Sequence, residues 1–363
     1  MPTTFRPLVI RFGRVGDTLL LQPLLRRLHA RYGEPCTLLA SGTYANELYR
    51  DQPDVGQVVA LHSRHRPFAL SPEQWRVLPV LRRMRHVPVY VCEPQPRSLA
   101  RIRALLKLAG IPDSHCVFLN DIPLATGEHW IEHLLHLADA TPPAFDPFAH
   151  LAARTPAVPE FVVSAHARAD CDQWLAARGL AAYPLVLLQP ANKRTLRWNG
   201  VRKADDDDKS WPAEHWARVA AAIRASLPDA RVLLCGSAAE HAYLDGLRTA
   251  MAQPGVEVVA GQLPLSRLRA LLTVAHSMIS VDTGPAHLAA AMGCPLVVMF
   301  GSVAPSHWQP RSRAPDAVRV LGGPPLSTRV DAISPEQVID AWLALPRRAG
   351  AANAVPTPVA APQ

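Results

Sequence analysis

The sequence predicts a doubly wound α/β architecture with parallel sheets, arranged as two halves of similar size. Three observations carry this. Short apolar runs alternate with helix-period segments along the chain. A proline-rich stretch, 139–160, breaks that alternation once. The length, 363 residues, is about twice that of a common domain of ~100–200 residues.

In the first half, Leu8-Val9-Ile10 is a short apolar run that reads as a buried strand. Gly13 and Gly16 follow, then a helical pattern over Thr18–Tyr32. Cys36–Ala40, Val55–Leu61 and Pro88–Cys92 are further strands, and a basic helix over Arg97–Ala109 stops at Gly110. The interrupting stretch contains Ala-Thr-Pro-Pro, Asp-Pro and Val-Pro-Glu and reads as a linker. A helix over Ala165–Arg178 ends at Gly179 and opens the second half. Strands at Leu185–Gln189, Arg231–Cys235, Val256–Ala260, Met278–Val281 and Leu296–Phe300 then alternate with helices at Ala213–Ser226, Ala238–Met251, Leu265–Ala275 and Ala286–Met292. Pro335–Leu345 is the last helix. The expected domains are therefore 1–160 and 161–345, with 346–363, rich in Ala and Pro, a disordered tail. Ligands of such sheets bind beyond the carboxyl ends of the strands, so the expected site is a cleft between the halves.

Composition narrows the function. The net charge of +8 suits an anionic ligand, a nucleic acid or an acidic membrane face. Cations cluster at Arg82, Arg83 and Arg85 and again at Arg97, Arg101, Arg103 and Lys107, where a solvated helix face and an anion-binding face are both open. The six cysteines form no CxxC pair and no Cys/His zinc spacing; Cys235 and Cys294 read as buried thiols, and the pattern favours a reducing compartment. Arg11, Arg14 and Asp17 interrupt the first apolar residues before a signal peptide can build, and no run approaches the ~18–20 residues of a membrane span. The expected location is the cytoplasm, with peripheral contact at a membrane surface.

Four segments carry chemistry, each leaving a strand. Asp282-Thr283-Gly284-Pro285-Ala286-His287 runs from a strand through a polar turn into a helix. Pro285 suits the first helical position, Gly284 permits close approach, and the free N–H groups at the helix start make an anion site that His287 can reach. The alternative is an ordinary capped connection. Asn192-Lys193-Arg194-Thr195 runs on to Lys209-Ser210-Trp211-Pro212 and supplies three candidate phosphate cations, Lys193, Arg194 and Lys209. The acidic run Asp205–Asp208 between them reads as a solvated loop. Glu240, after Cys235-Gly236-Ser237, either accepts from ribose hydroxyls or complements a helix dipole. Asp17, after Arg11-Phe12-Gly13-Arg14-Val15-Gly16, either faces the cleft as a carboxylate or caps a helix.

Together these segments resemble glycosyltransferase family 9, the heptosyltransferases of lipopolysaccharide core synthesis, over nearly the whole chain up to about residue 345. Leu8–Pro23, with Gly16-Asp17 and Gln22-Pro23, is similar to the family's opening strand, loop and helix. Lys209-Ser210-Trp211-Pro212 matches its Lys-x-Trp-Pro element, and Asp282–His287 followed by Phe300-Gly301 is its most specific signature. The segment Thr195–Asp208 is longer than the corresponding loop of the best-known heptosyltransferases. The resemblance implies the GT-B architecture, two Rossmann-like domains, with acceptor binding by the first and donor binding by the second. It implies an ADP-heptose donor, inversion at the anomeric centre, and an anionic acceptor built on lipid A at the cytoplasmic face of the inner membrane. By position, Asp17 is then the general base, Lys209 and the Thr283–Gly284 backbone hold the diphosphate with His287 nearby, Glu240 faces the ribose and Asp282 the donor sugar. Arg97, Arg101 and Lys107 are the acceptor-side cations. No metal and no cofactor are expected, because Lys209 and a helix start can stabilise the departing diphosphate and the nucleotide sugar is itself a substrate.

Other readings are weaker. A nucleotide-sugar epimerase needs a second acid/base pair, and none is evident. A non-catalytic nucleotide-sugar sensor or a scaffold at the membrane would be favoured by loss of the acidic residue after Gly16, but Asp17 is present. Another nucleotide sugar or glycan acceptor on the same fold remains open. Nucleic-acid binding lacks a reader motif and interleaved aromatics.

Overall fold

A computed structural model describes residues 5–61, 72–146, 154–197 and 200–346. All but the first residue of the expected tail, 346–363, and part of the expected linker lie outside the described residues. The described residues form two compact units, the first running to Ser164 and also taking Ala304–Arg313, the second made of the described residues from Ala165 onward apart from that segment.

The first unit contains β1 (Leu8–Arg11), α1 (Val15–Leu19), α2 (Gln22–Tyr32), β2 (Cys36–Ser41), α3 (Tyr44–Tyr49), β3 (Val55–Leu61), α4 (Pro72–Arg83), β4 (Val89–Val91), α5 (Pro96–Ala109), β5 (Cys116–Phe118) and α6 (Trp130–Asp139). The single helix expected over Thr18–Tyr32 is two helices. The first begins earlier, at Val15, and the chain resets at Leu20-Leu21 before Pro23, which is held near the start of the second, where its missing N–H costs nothing. The five strands run parallel in the order β3-β2-β1-β4-β5. Val77, Leu78 and Leu81 of α4 and Ile102, Leu105 and Leu106 of α5 share one core with Leu8, Ile10, Val89 and Val91. Both helices therefore cover the same face of the sheet.

The second unit contains α7 (Ala165–Ala177), β6 (Leu185–Gln189), the short antiparallel pair β7 (Leu196–Arg197) and β8 (Gly200–Val201), α8 (Ala213–Ser226), β9 (Arg231–Leu234), α9 (His241–Met251), β10 (Val256–Val258), α10 (Leu265–Val274), β11 (Ser277–Val281), α11 (Gly284–Ala291) and β12 (Leu296–Phe300). After β12 the chain gives α12 (Pro305–Trp308) to the first unit, where Trp308 stacks on Trp130 with ring centroids 5.0 Å apart and Arg311 pairs with Glu132 at 2.5 Å. It then returns as β13 (Val318–Gly322) and α13 (Pro335–Leu343). The sheet order is β10-β9-β6-β11-β12-β13, again parallel. Its strands are buried on alternating faces; Val186, Leu188, Ile279 and Val281 meet Trp216 and Ile223 of α8. This is the near-continuous apolar pattern of strands covered on both sides. The helix expected from Ala238 starts with a 3-10 turn over Ala238–Glu240.

In each sheet the first strand lies centrally, and the next strand in the chain pairs on one side while a later one pairs on the other. That reversal leaves a crevice at the carboxyl ends of β1 and β4, and of β6 and β11, where neighbouring connections diverge.

Candidate functional site

In the second unit the connections after β6 and β11 meet. Lys209 and Asp282 are 73 residues apart in sequence, yet the Lys209 ammonium lies 2.5 Å from the Asp282 carboxylate and donates to its backbone carbonyl at 2.8 Å. His287 Nε2 stands 3.7 Å from the other Asp282 oxygen. All three side chains are largely covered, at 15%, 12% and 7% exposure. Thr283 is extended, and its hydroxyl pairs with that of Ser280 at 3.0 Å, so no side chain caps α11. The helix start keeps backbone N–H groups for an acceptor from outside. Gly284 and not Pro285 is the first helical residue, Pro285 following it.

The acidic run is not a uniformly solvated loop, contrary to the sequence reading. Asp205 and Asp206 are exposed, but Asp207 is buried, accepting from the Asn192 amide at 2.9 Å and from the Lys209 N–H at 3.2 Å. Asp208 accepts from the Ser302 N–H at 2.8 Å and hydroxyl at 2.5 Å, and pairs with Arg194 at 2.6 Å. Arg194 is thus committed to a carboxylate, while Lys193 is exposed beside it. Gly301 explains its own identity: a Cβ there would stand 2.6 Å from the Asp208 carbonyl oxygen. The two aspartates fix the backbone leading into Lys209, Asp207 also holding the Lys209 N–H, and so aim its side chain. Sequence reasoning missed both, because a run of four acids looks solvated until its partners are known. Burial opposes ionisation of Asp208, but the Ser302 bonds and the Arg194 and Lys209 charges hold its carboxyl below the usual aspartate range.

Glu240 accepts from both the N–H and the hydroxyl of Ser237 through Oε2, at 2.7 and 2.9 Å. That is the geometry of a helix-start cap.

In the first unit, Arg11 ends β1 and bridges two elements. One guanidinium nitrogen donates to the Cys92 carbonyl at 2.8 Å, the other to Asp17 Oδ1 at 2.8 Å. Asp17 Oδ2 accepts from the Arg14 N–H at 2.8 Å. The capping reading of Asp17 is therefore present in the geometry, but the side chain keeps 22% of its surface open and has lone pairs to spare. Gly13 has no room for a side chain, since a Cβ would come within 2.5 Å of Asp17 Cβ. Arg11 also lies 5.6 Å from the centroid of the Trp130 ring. Glu93, one residue past Cys92, was not foreseen. It is 1% exposed and accepts from the N–H groups of Phe12 and Gln95 at 3.1 and 3.2 Å. Burial raises its carboxyl pKa, with Arg11 acting against the shift. A lone Glu at the end of an apolar strand was the available signal. Arg97, Arg101 and Lys107 lie on the exposed side of α5. Among the described residues no three His, Cys, Asp or Glu side chains converge as a metal site.

Residues 161–331 match the model of glycosyltransferase family 9 (heptosyltransferase). The match spans 171 of the 363 residues, so this chain is similar to glycosyltransferase family 9 over just under half of its length. The chain is a glycosyltransferase of GT-B fold. It is 24% identical over 330 residues to lipopolysaccharide heptosyltransferase 2 of Escherichia coli strain K12, covering 87% of this chain and 88% of the relative. Its fold is similar to the solved ADP-heptose heptosyltransferase II of E. coli, with a TM-score of 0.69, 22% identity and coverage of 94% of this chain and 98% of that one. An E. coli heptosyltransferase solved with ADP gives a TM-score of 0.66 at 18% identity, covering 93% and 98%.

The Asp208 clasp makes a prediction for this site. A carboxyl held below its unfolded pKa contributes stability that is full above the unfolded value and is lost as pH falls through the folded one. The melting temperature of Asp208→Asn should be lower than that of the native chain at neutral pH, and the gap should close on acidification below the aspartate range. A gap that stays constant with pH would show that the clasp does not depend on charge.

Proposed function

We propose that the chain transfers a heptose, or a related sugar, from an ADP-linked donor to the anionic core of a lipid A-linked acceptor, with inversion and without a metal ion. The observation that carries this reading is the convergence of Lys209, Asp282, His287 and the uncapped start of α11 at a sheet switch point. A diphosphate fits it: the ammonium and the helix N–H groups stabilise the charge that grows on the leaving oxygen. Asp282, which neutralises Lys209 in the free protein, turns to the donor sugar. Glu240 keeps Oε2 on Ser237 and offers Oε1 to the ribose. Lys193 is a reserve phosphate contact, and Arg194 serves by holding Asp208. The donor binds the second unit and the acceptor the first.

Inversion is a single displacement, so one base suffices. Asp17 takes the proton of the attacking acceptor hydroxyl as the new C–O bond forms and the bond to the diphosphate breaks. Arg11 and the Arg14 N–H point the carboxylate, and Glu93 fixes the loop through the Phe12 N–H. Arg97, Arg101 and Lys107 meet acceptor phosphates. A nucleotide-sugar donor and a lipid-linked acceptor place the reaction at the cytoplasmic face of the inner membrane, with no part for nucleic acid.

Two experiments test this. Asp17→Asn keeps a cap acceptor but not a base, so kcat should fall by about 10²–10⁴-fold with donor Kd unchanged; near-native turnover would leave Asp17 a helix cap. Activity with ADP-heptose should also persist in excess EDTA, whereas loss reversed by magnesium would put a cation at the diphosphate instead of Lys209.

A further inference from the structure

The positive charge of this chain is concentrated on one helix pair. Residues 72–113, from the start of α4 to just past α5, contain eight Arg and Lys and three carboxylates, Glu73, Glu93 and Asp113, a net +5 against +8 for the whole sequence. Glu93 is buried at the strand end, and Asp113 pairs with Arg103 at 2.8 Å. The cations are carried chiefly by α4 and α5, which pack side by side and bury their inner faces in one core.

Their outer faces are consistent stripes. On α4, Trp75, Arg76, Pro79, Arg82 and Arg83 are exposed at three- and four-residue spacings, and on α5, Arg97, Arg101, Lys107 and Leu108 are exposed within about 120° of one another around the helix. Trp75 is 51% exposed near the start of α4 and Leu108 49% near the end of α5. Helices linking parallel strands run back against them, so these two apolar side chains mark opposite ends of a cationic face about 20 Å long. Arg97 and Lys107 are ten positions apart, about 15 Å along the axis, too far to converge on one phosphate group.

A planar anionic partner satisfies this pattern. A free sugar phosphate would neutralise one end and leave Trp75 and Leu108 in water. A nucleic acid would call for aromatics distributed among the cations to stack on bases, but this face has one, at its edge. We propose that the outer face of α4 and α5 docks the first unit on an anionic lipid bilayer, the arginines at phosphate level and Trp75 and Leu108 entering the interface. Amphipathic surfaces of this kind combine charge attraction with shallow apolar burial. The inference goes beyond the transfer reaction and stands without it, because bilayer binding is measured with no donor or acceptor present.

The test is flotation of the full chain with vesicles of phosphatidylcholine, alone or mixed with phosphatidylglycerol. Binding should require phosphatidylglycerol and weaken as salt rises. Each cation near such a surface contributes about fivefold in partition, so Arg76→Gln/Arg82→Gln/Arg83→Gln should weaken binding roughly 100-fold. Trp75→Ala should weaken the binding that survives high salt. Melting temperature and ADP affinity of the variants should match the native chain. Equal partition onto both vesicle types, no binding, or native-like binding by the triple variant would overturn the proposal. So would tighter binding to an oligonucleotide than to the charged vesicles, if the same variant abolished it.

Discussion

Everything at the two sites depends on the reversal of strand order beside the first strand of each sheet. In a parallel sheet the connection after a strand must cross back over one face. Where two neighbouring strands send their connections to opposite sides, the strand ends are left uncovered. The Arg11–Asp17 loop and Glu93 occupy one such place, and Lys209 and Asp282 the other. The carboxyl ends then supply what chemistry needs without distorting the core: a helix start with uncapped N–H groups, and side chains from segments distant in sequence.

Each place balances its own charge in the free protein. Lys209 is covered and pairs with Asp282; Arg11 is covered and pairs with Asp17. Leaving either cation buried without a partner would cost several kcal/mol. A diphosphate carries more negative charge than Asp282 and can take over the ammonium, releasing the carboxylate. In the proposed exchange Asp207, buried, and Asp208, half-buried, keep the ammonium in place, because their partners, Asn192, Ser302 and Arg194, belong to the same unit as the helix start.

Much of this was legible in the sequence. The apolar runs at Leu185–Gln189 and Leu296–Phe300 are bounded as the structure bounds them, because a strand buried on both faces leaves no polar position to blur its ends. The polar turn at Asp282–Thr283 could be read from its composition. The edge strand Val318–Gly322 could not, since its partly exposed residues lack an apolar run, and α6 was hidden behind the His- and Leu-rich text around Trp130. The roles of Asp207, Asp208 and Glu93 are long-range: each partner lies in another connection, and no local pattern marks them. The same is true of Ala304–Arg313, which sits within the second half of the sequence but packs with the first unit.

The central claim is that Lys209 and the start of α11 form the diphosphate site. Calorimetric titration of ADP into the native chain and into Lys209→Met tests it most directly. Met keeps most of the side-chain volume and removes the charge. A hydrogen bond to a charged group contributes about 1.5–3 kcal/mol, so the variant should bind ADP roughly 10- to 100-fold more weakly; it should stay folded, with a lowered melting temperature because Asp282 loses its cation. Unaltered ADP affinity in a folded Lys209→Met protein would contradict the account.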